Sequence, residues 1–387
     1  VSDGADSGSA GSEGNAAVED VTLDDRCMII YTSGTTGRPK GAVITHGNVT
    51  FNMINQLAHV DVLHTDVALG VAPMFHTAGL NQVTMPTLFK GGTVVVEPRF
   101  DPVALLSSVR RLGVTAFSAV PTMLQMIVDS PAWDTADVSS LRHVIYGGSP
   151  VLERVARAWL DRGVPLLQGY GMTEASPGVV LAAVDGAARR PVSAGVPHFF
   201  TDVAVDVGGV ATAPLGRTGE LLVRGPNVFA EYWGRPEATS DSFAPGGWFR
   251  SGDAVRVEDD GWTHVIDRLK DLFISGGENV YPAEVEAALN THPDVAACAV
   301  VGVPDDRWGE VGCAFVVRRG RSGLTEAGIA EHLRGRLAGY KVPKHVRFTD
   351  AIPTNATGKI RRAELRDLAR REIGGGGRAV PGPASTA

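Results

Sequence analysis

Apolar and polar positions along this chain fall into two rhythms. Between residues 27 and about 185, short apolar runs bounded by turn residues alternate with stretches of helical spacing. The runs Cys27–Tyr31, Val67–Val71, Thr93–Glu97, Ala116–Val120, His143–Tyr146 and Pro165–Leu167 predict strands. Between the last two, Ser149 can cap a helix and Pro150 suits its first turn. Leu152, Val155 and Trp159 recur at helical spacing, and Gly163 ends it. Such alternation predicts an α/β architecture. From about 195 to 266 the rhythm shortens to alternating strands, among them Asp202–Val207 and Glu220–Arg224, which predicts a small antiparallel sheet or barrel. Beyond Lys270 a separate α+β unit is expected. Pro282 opens a helix ending near His292, Val295–Val303 and Cys313–Val317 form strands, and Ile329, Leu333 and Leu337 mark one helix face.

The densest chemistry lies in Tyr31-Thr32-Ser33-Gly34-Thr35-Thr36-Gly37-Arg38-Pro39-Lys40-Gly41, directly after the first apolar run. Glycines let a backbone turn its N–H groups toward an anion. Hydroxyls donate to phosphate oxygens, and a lysine adds a point charge. A Walker A loop requires Gly-Lys-Ser/Thr. Here Arg38 and Pro39 separate Gly37 from Lys40, and Pro39 removes a donor. The loop is therefore expected to bind phosphates without being a P-loop.

Four later segments complete a pattern: Gln168-Gly169-Tyr170-Gly171-Met172-Thr173-Glu174; Trp248 to Asp253; Asp267 to Asn279; and Pro353 to Ile360. In this order and spacing, from about Asp24 to about Leu368, the chain resembles the adenylate-forming superfamily of acyl-CoA synthetases, luciferases and peptide-synthetase adenylation domains. Bacterial fatty acyl-CoA synthetases are the most similar in flavour, through Phe200 to Val203, Glu231-Tyr232-Trp233 and Ser275 to Pro282. The resemblance implies a large N-terminal α/β domain over residues 21–269, with a barrel-like part at 195–266. A mobile small α+β domain over 270–373 would follow a hinge at Lys270. Tails at 1–20 and 374–387, rich in Gly, Ser, Ala or Pro, are expected to be disordered. Relatives usually carry well over a hundred further residues before the phosphate loop, so a fragment, a misassigned gene start and a shortened relative all stay open.

The implied reaction joins a carboxylate to ATP as an acyl-adenylate, then passes the acyl group to a thiol. By resemblance, Thr32, Ser33, Gly34, Thr35, Thr36, Gly37 and Lys40 embrace the β- and γ-phosphates. Thr173 contacts the α-phosphate and Glu174 holds Mg²⁺. Tyr170 stacks on adenine, with Gly147-Gly148-Ser149 opposite and Gln168, Gly169 and Gly171 nearby. Asp253 and Arg268 take the ribose. Lys359 is the mobile lysine that neutralises charge between carboxylate and α-phosphate. Ser275, Gly276, Gly277, Glu278 and Trp308 line the coenzyme A channel once the small domain turns about Lys270. Ala72 to Gly79 resembles the acyl pocket. His76 stands where amino-acid-activating relatives place an Asp, which argues against an amino acid. The expected wall is His76, Thr77, Gly79, Leu80, Val120, Pro121, Gly148, Ser149, Gly171, Met172 and Ser176, small or apolar residues suited to an aliphatic tail or aromatic ring.

A fatty acid, ATP, Mg²⁺ and coenzyme A are thus the expected reactants of an AMP-forming acyl-CoA synthetase. Three alternatives stay open: an aromatic-acid CoA ligase, an acyl-AMP ligase loading an acyl carrier protein, and a silent nucleotide-binding relative. Composition narrows the rest. The chain is 44% hydrophobic and 20% charged, ordinary for a globular protein. Its net charge of −7 offers no basic footprint for nucleic acid. Cys27, Cys298 and Cys313 lack metal-site spacing and sit in apolar runs, so buried thiols in a reducing, cytoplasmic compartment are expected. No stretch is apolar over a membrane-spanning length. A homodimer is compatible with all of this.

Overall fold

The computed structural model describes residues 20–32, 39–148, 151–320, 322–354 and 359–374. Expectations for Ser33, Gly34, Thr35, Thr36, Gly37 and Ser149, and for most of the two tails, lie outside these residues.

The expected alternation builds a seven-stranded sheet. Its order is Thr93–Val96, Val67–Gly70, Ala116–Ala119, His143–Gly147, Leu166–Gly171, Gly178–Leu181, Val196–Pro197. The first five strands are parallel, and the sixth runs antiparallel to both of its neighbours. Alternate side chains divide between two faces. Phe117, Val144 and Leu166 join Trp159, Leu124 and Val109 on one; Ala116, Ile145 and Leu167 join Val83, Leu181 and Trp262 on the other. Burial on both faces is why these strands read as continuous apolar runs. The chain leaves Val67–Gly70 toward one edge and Ala116–Ala119 toward the other. The topological switch point thus lies between these two neighbours, where open α/β sheets bind ligands beyond the strands' carboxyl ends.

Several expectations are revised. The run at 27–31 becomes the strand Arg26–Thr32, outside the central sheet, paired with Lys40–Thr45 in a three-stranded sheet with Glu231–Tyr232. Only one face of this strand is covered, so Cys27 is exposed; Cys298 and Cys313 are buried as expected. The helix expected after Ser149 runs over Glu153–Leu160, with Leu152 at its N-cap and no side-chain cap. The antiparallel portion is an open six-stranded sheet, ordered Val210–Thr212, Asp202–Val207, Thr218–Arg224, Trp248–Val257, Phe243–Ala244, with Thr263–Arg268 also on Trp248–Val257. Its ends do not pair among the described residues, so it is not a closed barrel.

The last unit is a five-stranded sheet built on the Val295–Asp305/Gly309–Arg318 hairpin. Val300 and Val316 face the helices Pro282–Leu289 and Glu326–Arg334. Ala299, Val301 and Phe315 face Leu365 and Ala369 of the helix Arg362–Gly374. Among the described residues, no helix is long and apolar enough to cross a membrane.

Candidate active site

The central sheet gathers the expected site at its carboxyl edge. Val67–Gly70 leads into the segment bearing His76, Thr77 and Gly79, Ala116–Ala119 into Val120, His143–Gly147 into Gly148, and Leu166–Gly171 into Met172, Thr173 and Glu174. His76 and Val120 thereby flank the switch point. The His76 ring leans on exposed Phe75, with centroids 4.7 Å apart. Burial, then the nearby Lys359 ammonium, holds His76 below its ordinary pKa, so it is neutral near pH 7.

Four expected wall residues also have packing roles. Thr77 is buried, and a Cβ on Gly79 would stand 2.2 Å from the Pro73 carbonyl oxygen. Ser176 is fully buried at φ +67°, and its carbonyl accepts from Asn81 Nδ2 at 3.2 Å. Met172, half-buried, packs between the antiparallel-sheet core and the cluster around Ala42 and Phe229.

Lys359 reaches this edge from the last unit. Its Cε lies 3.9 Å from the place a Gly148 Cβ would occupy, at φ +94°, where only glycine is comfortable. Partial desolvation, with Arg268 behind it, lowers the Lys359 pKa, while Asp253 and Glu174 oppose the shift. The expected catalytic lysine, ribose pair and metal carboxylate therefore share one electrostatic neighbourhood.

Strand register explains the ribose pair. Asp253 and Arg268 stand opposite each other on Trp248–Val257 and Thr263–Arg268. Arg268 Nε lies 3.3 Å from Asp253 Oδ1, and Tyr170 Oη donates to Asp253 Oδ2 at 2.7 Å. Burial and the Asp253 charge push the Tyr170 phenol well above its usual pKa, so it stays a donor. Lys270 follows on an exposed turn, closed by Asp271 N donating to the Arg268 carbonyl at 3.0 Å.

Glu174 is buried on the short 3-10 turn Thr173–Ala175. Its carbonyl accepts from Phe229 N at 2.8 Å, and its Oε1 accepts from Tyr232 Oη at 2.7 Å. The other carboxylate oxygen is a hard donor of the kind Mg²⁺ takes, so the residue fits that ion. Thr32 and Lys40 are register partners at the connected end of a hairpin, so the Ser-Gly-Thr-Thr-Gly segment joins two strands in sequence. A P-loop instead leads into a helix, so this context supports the exclusion of Walker A.

Some expected nucleotide residues have packing roles. The Gln168 side-chain oxygen accepts from Tyr146 Oη at 3.0 Å within the core. A Cβ on Gly147 would lie 2.9 Å from Gly169 O, one on Gly169 2.9 Å from Gln82 Nε2, and one on Gly171 1.7 Å from Pro177 O. Gly276 and Gly277, at φ +63° and +88°, form the two-residue turn between Ser275 and Glu278, a positive-φ pair suited to a type I′ hairpin. Gly276 N donates to Trp308 O at 2.9 Å, and Lys344 Nζ lies 5.3 Å from the Trp308 ring. The expected coenzyme A residues are thus together on the last unit.

A buried carboxamide network, missed from sequence, braces the Glu174 turn. Asn227 Nδ2 donates to Ala175 O at 3.0 Å and Gly178 O at 2.8 Å, and its Oδ1 accepts from Thr201 Oγ1 at 3.0 Å. Asn52 Oδ1 accepts from Gly178 N at 3.2 Å, and its Nδ2 donates to Asn81 O. A polar residue between apolar ones, such as Asn52 between Phe51 and Met53, was the available signal.

This arrangement has relatives. A family model described as AMP-binding enzyme matches residues 2–233, and one described as AMP-binding enzyme C-terminal domain matches 284–359. A feruloyl-CoA synthase of Amycolatopsis sp is 53% identical over 346 residues, 89% of this chain and 70% of that protein. An indoleacetate–CoA ligase of Aromatoleum aromaticum is 42% identical over 89% and 68%. A long-chain-fatty-acid–CoA ligase of Mycobacterium tuberculosis is 40% identical over 89% and 68%. ATP-bound MatB of Rhodopseudomonas palustris superposes with a TM-score of 0.85 at 35% identity, covering 92% of this chain and 70% of that one. The o-succinylbenzoate coenzyme A synthetase of Bacillus subtilis, solved with ATP and magnesium ion, gives 0.82 at 34%, covering 90% and 71%. With its first matched segment alone spanning more than half the sequence, and with such relatives aligned over most of their own lengths, the chain belongs to the AMP-binding enzyme family.

Proposed function

We propose that this protein is an ATP-dependent, AMP-forming CoA ligase whose acid is aromatic and of phenylpropanoid size. The observation that carries the adenylation half is the meeting of Lys359 with Gly148, beside Asp253, Arg268 and Glu174. A substrate carboxylate oxygen attacks the α-phosphorus, the bond to the β-phosphate bridging oxygen breaks, and pyrophosphate leaves. An anion attacks a polyanion here, so the barrier is largely electrostatic. Lys359 supplies positive charge between the two. Asp253 and Arg268 hold the ribose, with Tyr170 orienting Asp253. Thr32, Lys40 and the loop joining them receive the β- and γ-phosphates, and Thr173 the α-phosphate. Glu174 would hold Mg²⁺, which would supply further charge neutralisation.

In the second half, a thiol attacks the acyl carbonyl and AMP departs. Lys270 serves as the hinge for the last unit, from 270 onward, and the Ser275–Glu278 turn with Trp308 meets the coenzyme A thiol arm. His76, neutral and half-buried, forms an acyl-pocket wall with Val120 rather than a base, since an ionised acid has no proton to give.

The aromatic assignment departs from the fatty acid expected from sequence. It rests on the 53% identity to feruloyl-CoA synthase, against 40% to the long-chain-fatty-acid–CoA ligase. The latter relative favours a fatty acid as the second reading. Pyrophosphate release with ATP, Mg²⁺ and a panel of hydroxycinnamic, arylacetic and fatty acids, with and without coenzyme A, tests both. Release confined to fatty acids overturns the first reading; release with no acid overturns both.

A further inference from the structure

Tyr232 touches two groups that the reaction needs and that it cannot itself replace. Its hydroxyl donates to Glu174 Oε1 at 2.7 Å, and the Lys40 ammonium lies 4.6 Å from its ring centroid. The residue is held on every side. It pairs with Ala42, two positions from Lys40, and its N–H donates to Thr239 Oγ1 at 2.9 Å. Its ring packs 4.7 Å from Phe229, whose N–H fixes the Glu174 carbonyl. Tyr232 is 6% exposed and Glu174 8%.

We propose that Tyr232 is a positioning residue that keeps the metal-facing carboxylate and the phosphate-loop lysine apart and in fixed register. This rests on reading Glu174 as the magnesium ligand. An ionised carboxylate offers about four lone-pair directions. Binding Oε1 from one side sets the rotation of the group and leaves Oε2 as the oxygen that would take a bound Mg²⁺. Mg²⁺ demands near-octahedral geometry, so a carboxylate free to rotate serves it poorly. The ring face does a second job. It seats the lysine by a cation–π contact and so withholds Lys40 from Glu174, with which it would otherwise neutralise. Both charges then stay available, one for phosphate and one for metal.

Tyr232→Phe retains the ring and removes the hydroxyl; Tyr232→Ala removes both. ATP binding to the full chain is measured by titration calorimetry across a Mg²⁺ series and in EDTA, with no acid present. Tyr232→Phe is expected to weaken ATP binding roughly tenfold at limiting Mg²⁺, in line with losses when a metal ligand's hydrogen-bond partner is removed, and to match wild type in EDTA. Tyr232→Ala is expected to weaken binding in both. Thermal unfolding checks that each variant is folded. In a Glu174→Gln background, Tyr232→Phe is expected to change the Mg²⁺ dependence no further. Wild-type Mg²⁺ dependence in Tyr232→Phe, or equal weakening with and without Mg²⁺, overturns the proposal while leaving the adenylation reading intact. Wild-type Mg²⁺ dependence in Glu174→Gln overturns the ligand assignment and the proposal with it.

Discussion

Asn227 is fully buried and joins three segments, so its removal has a calculable cost. Asn227→Ala deletes two donated bonds, to Ala175 O at 3.0 Å and Gly178 O at 2.8 Å, and the acceptor for Thr201 Oγ1. Each orphaned buried group costs about 1–3 kcal/mol, less where water enters, so the total is about 3 kcal/mol. At roughly 2–4 °C per kcal/mol, the melting temperature should fall by about 6–12 °C. The two carbonyls flank the turn carrying Glu174 and the strained Ser176, so ATP use should suffer beyond the loss of stability. The kcat/KM for ATP, measured at 20 °C where the variant stays folded, should drop at least about tenfold, as misplacement of a positioned group does. Thermal unfolding and pyrophosphate-release kinetics give the two numbers. A melting temperature unchanged within a degree, with kcat/KM unchanged, would refute the view that this carboxamide braces the turn.

Lys359→Ala should abolish adenylation yet leave thioester formation from supplied acyl-adenylate and coenzyme A near wild type; equal loss in both half-reactions would contradict a role confined to the first. Two buried histidines make stability pH-dependent. Burial lowers His143 to about 4 and His198 to about 3, below their unfolded values near 6.5. Groups depressed this way stabilise above the unfolded pKa, and the contribution is lost as pH falls toward the folded pKa. At pH 5 each forfeits up to about 2 kcal/mol. Urea midpoints should therefore fall between pH 6.5 and 4, and His198→Gln should flatten the decline; an identical slope in the variant would rule His198 out.

The parallel strands were legible because burial on both faces leaves unbroken apolar runs, as in Ala116–Ala119 and His143–Gly147. The strand Arg26–Thr32 misled for a physical reason. Its composition matches a buried strand, but it pairs antiparallel with Lys40–Thr45 and covers one face only, leaving Cys27 and Tyr31 exposed. Sheet membership is decided by partners far along the chain, here Glu231–Tyr232. The open antiparallel sheet was read as barrel-like because alternation reports strands and says nothing of closure. Among site residues, Asp253 and Arg268 stood out through their motif, and strand register supplies the reason they meet. Asn227 and Asn52 went unread, and Tyr232 was read only within its motif, because their value depends on groups 52 to 126 positions away, which only the folded chain brings within hydrogen-bond reach. The glycines at 147, 169 and 171 were assigned to the nucleotide, yet each is also demanded by a neighbouring backbone or side chain.

The choice of acid is the claim most directly open to test. Purified protein with ATP, Mg²⁺ and coenzyme A would be given ferulate and a long-chain fatty acid together at equal concentration, and the two CoA thioesters quantified at early times. Their ratio equals the ratio of kcat/KM values. Feruloyl-CoA in at least about tenfold excess, a difference of 1.4 kcal/mol in transition-state binding, is the expected result. Fatty acyl-CoA in excess would contradict the account.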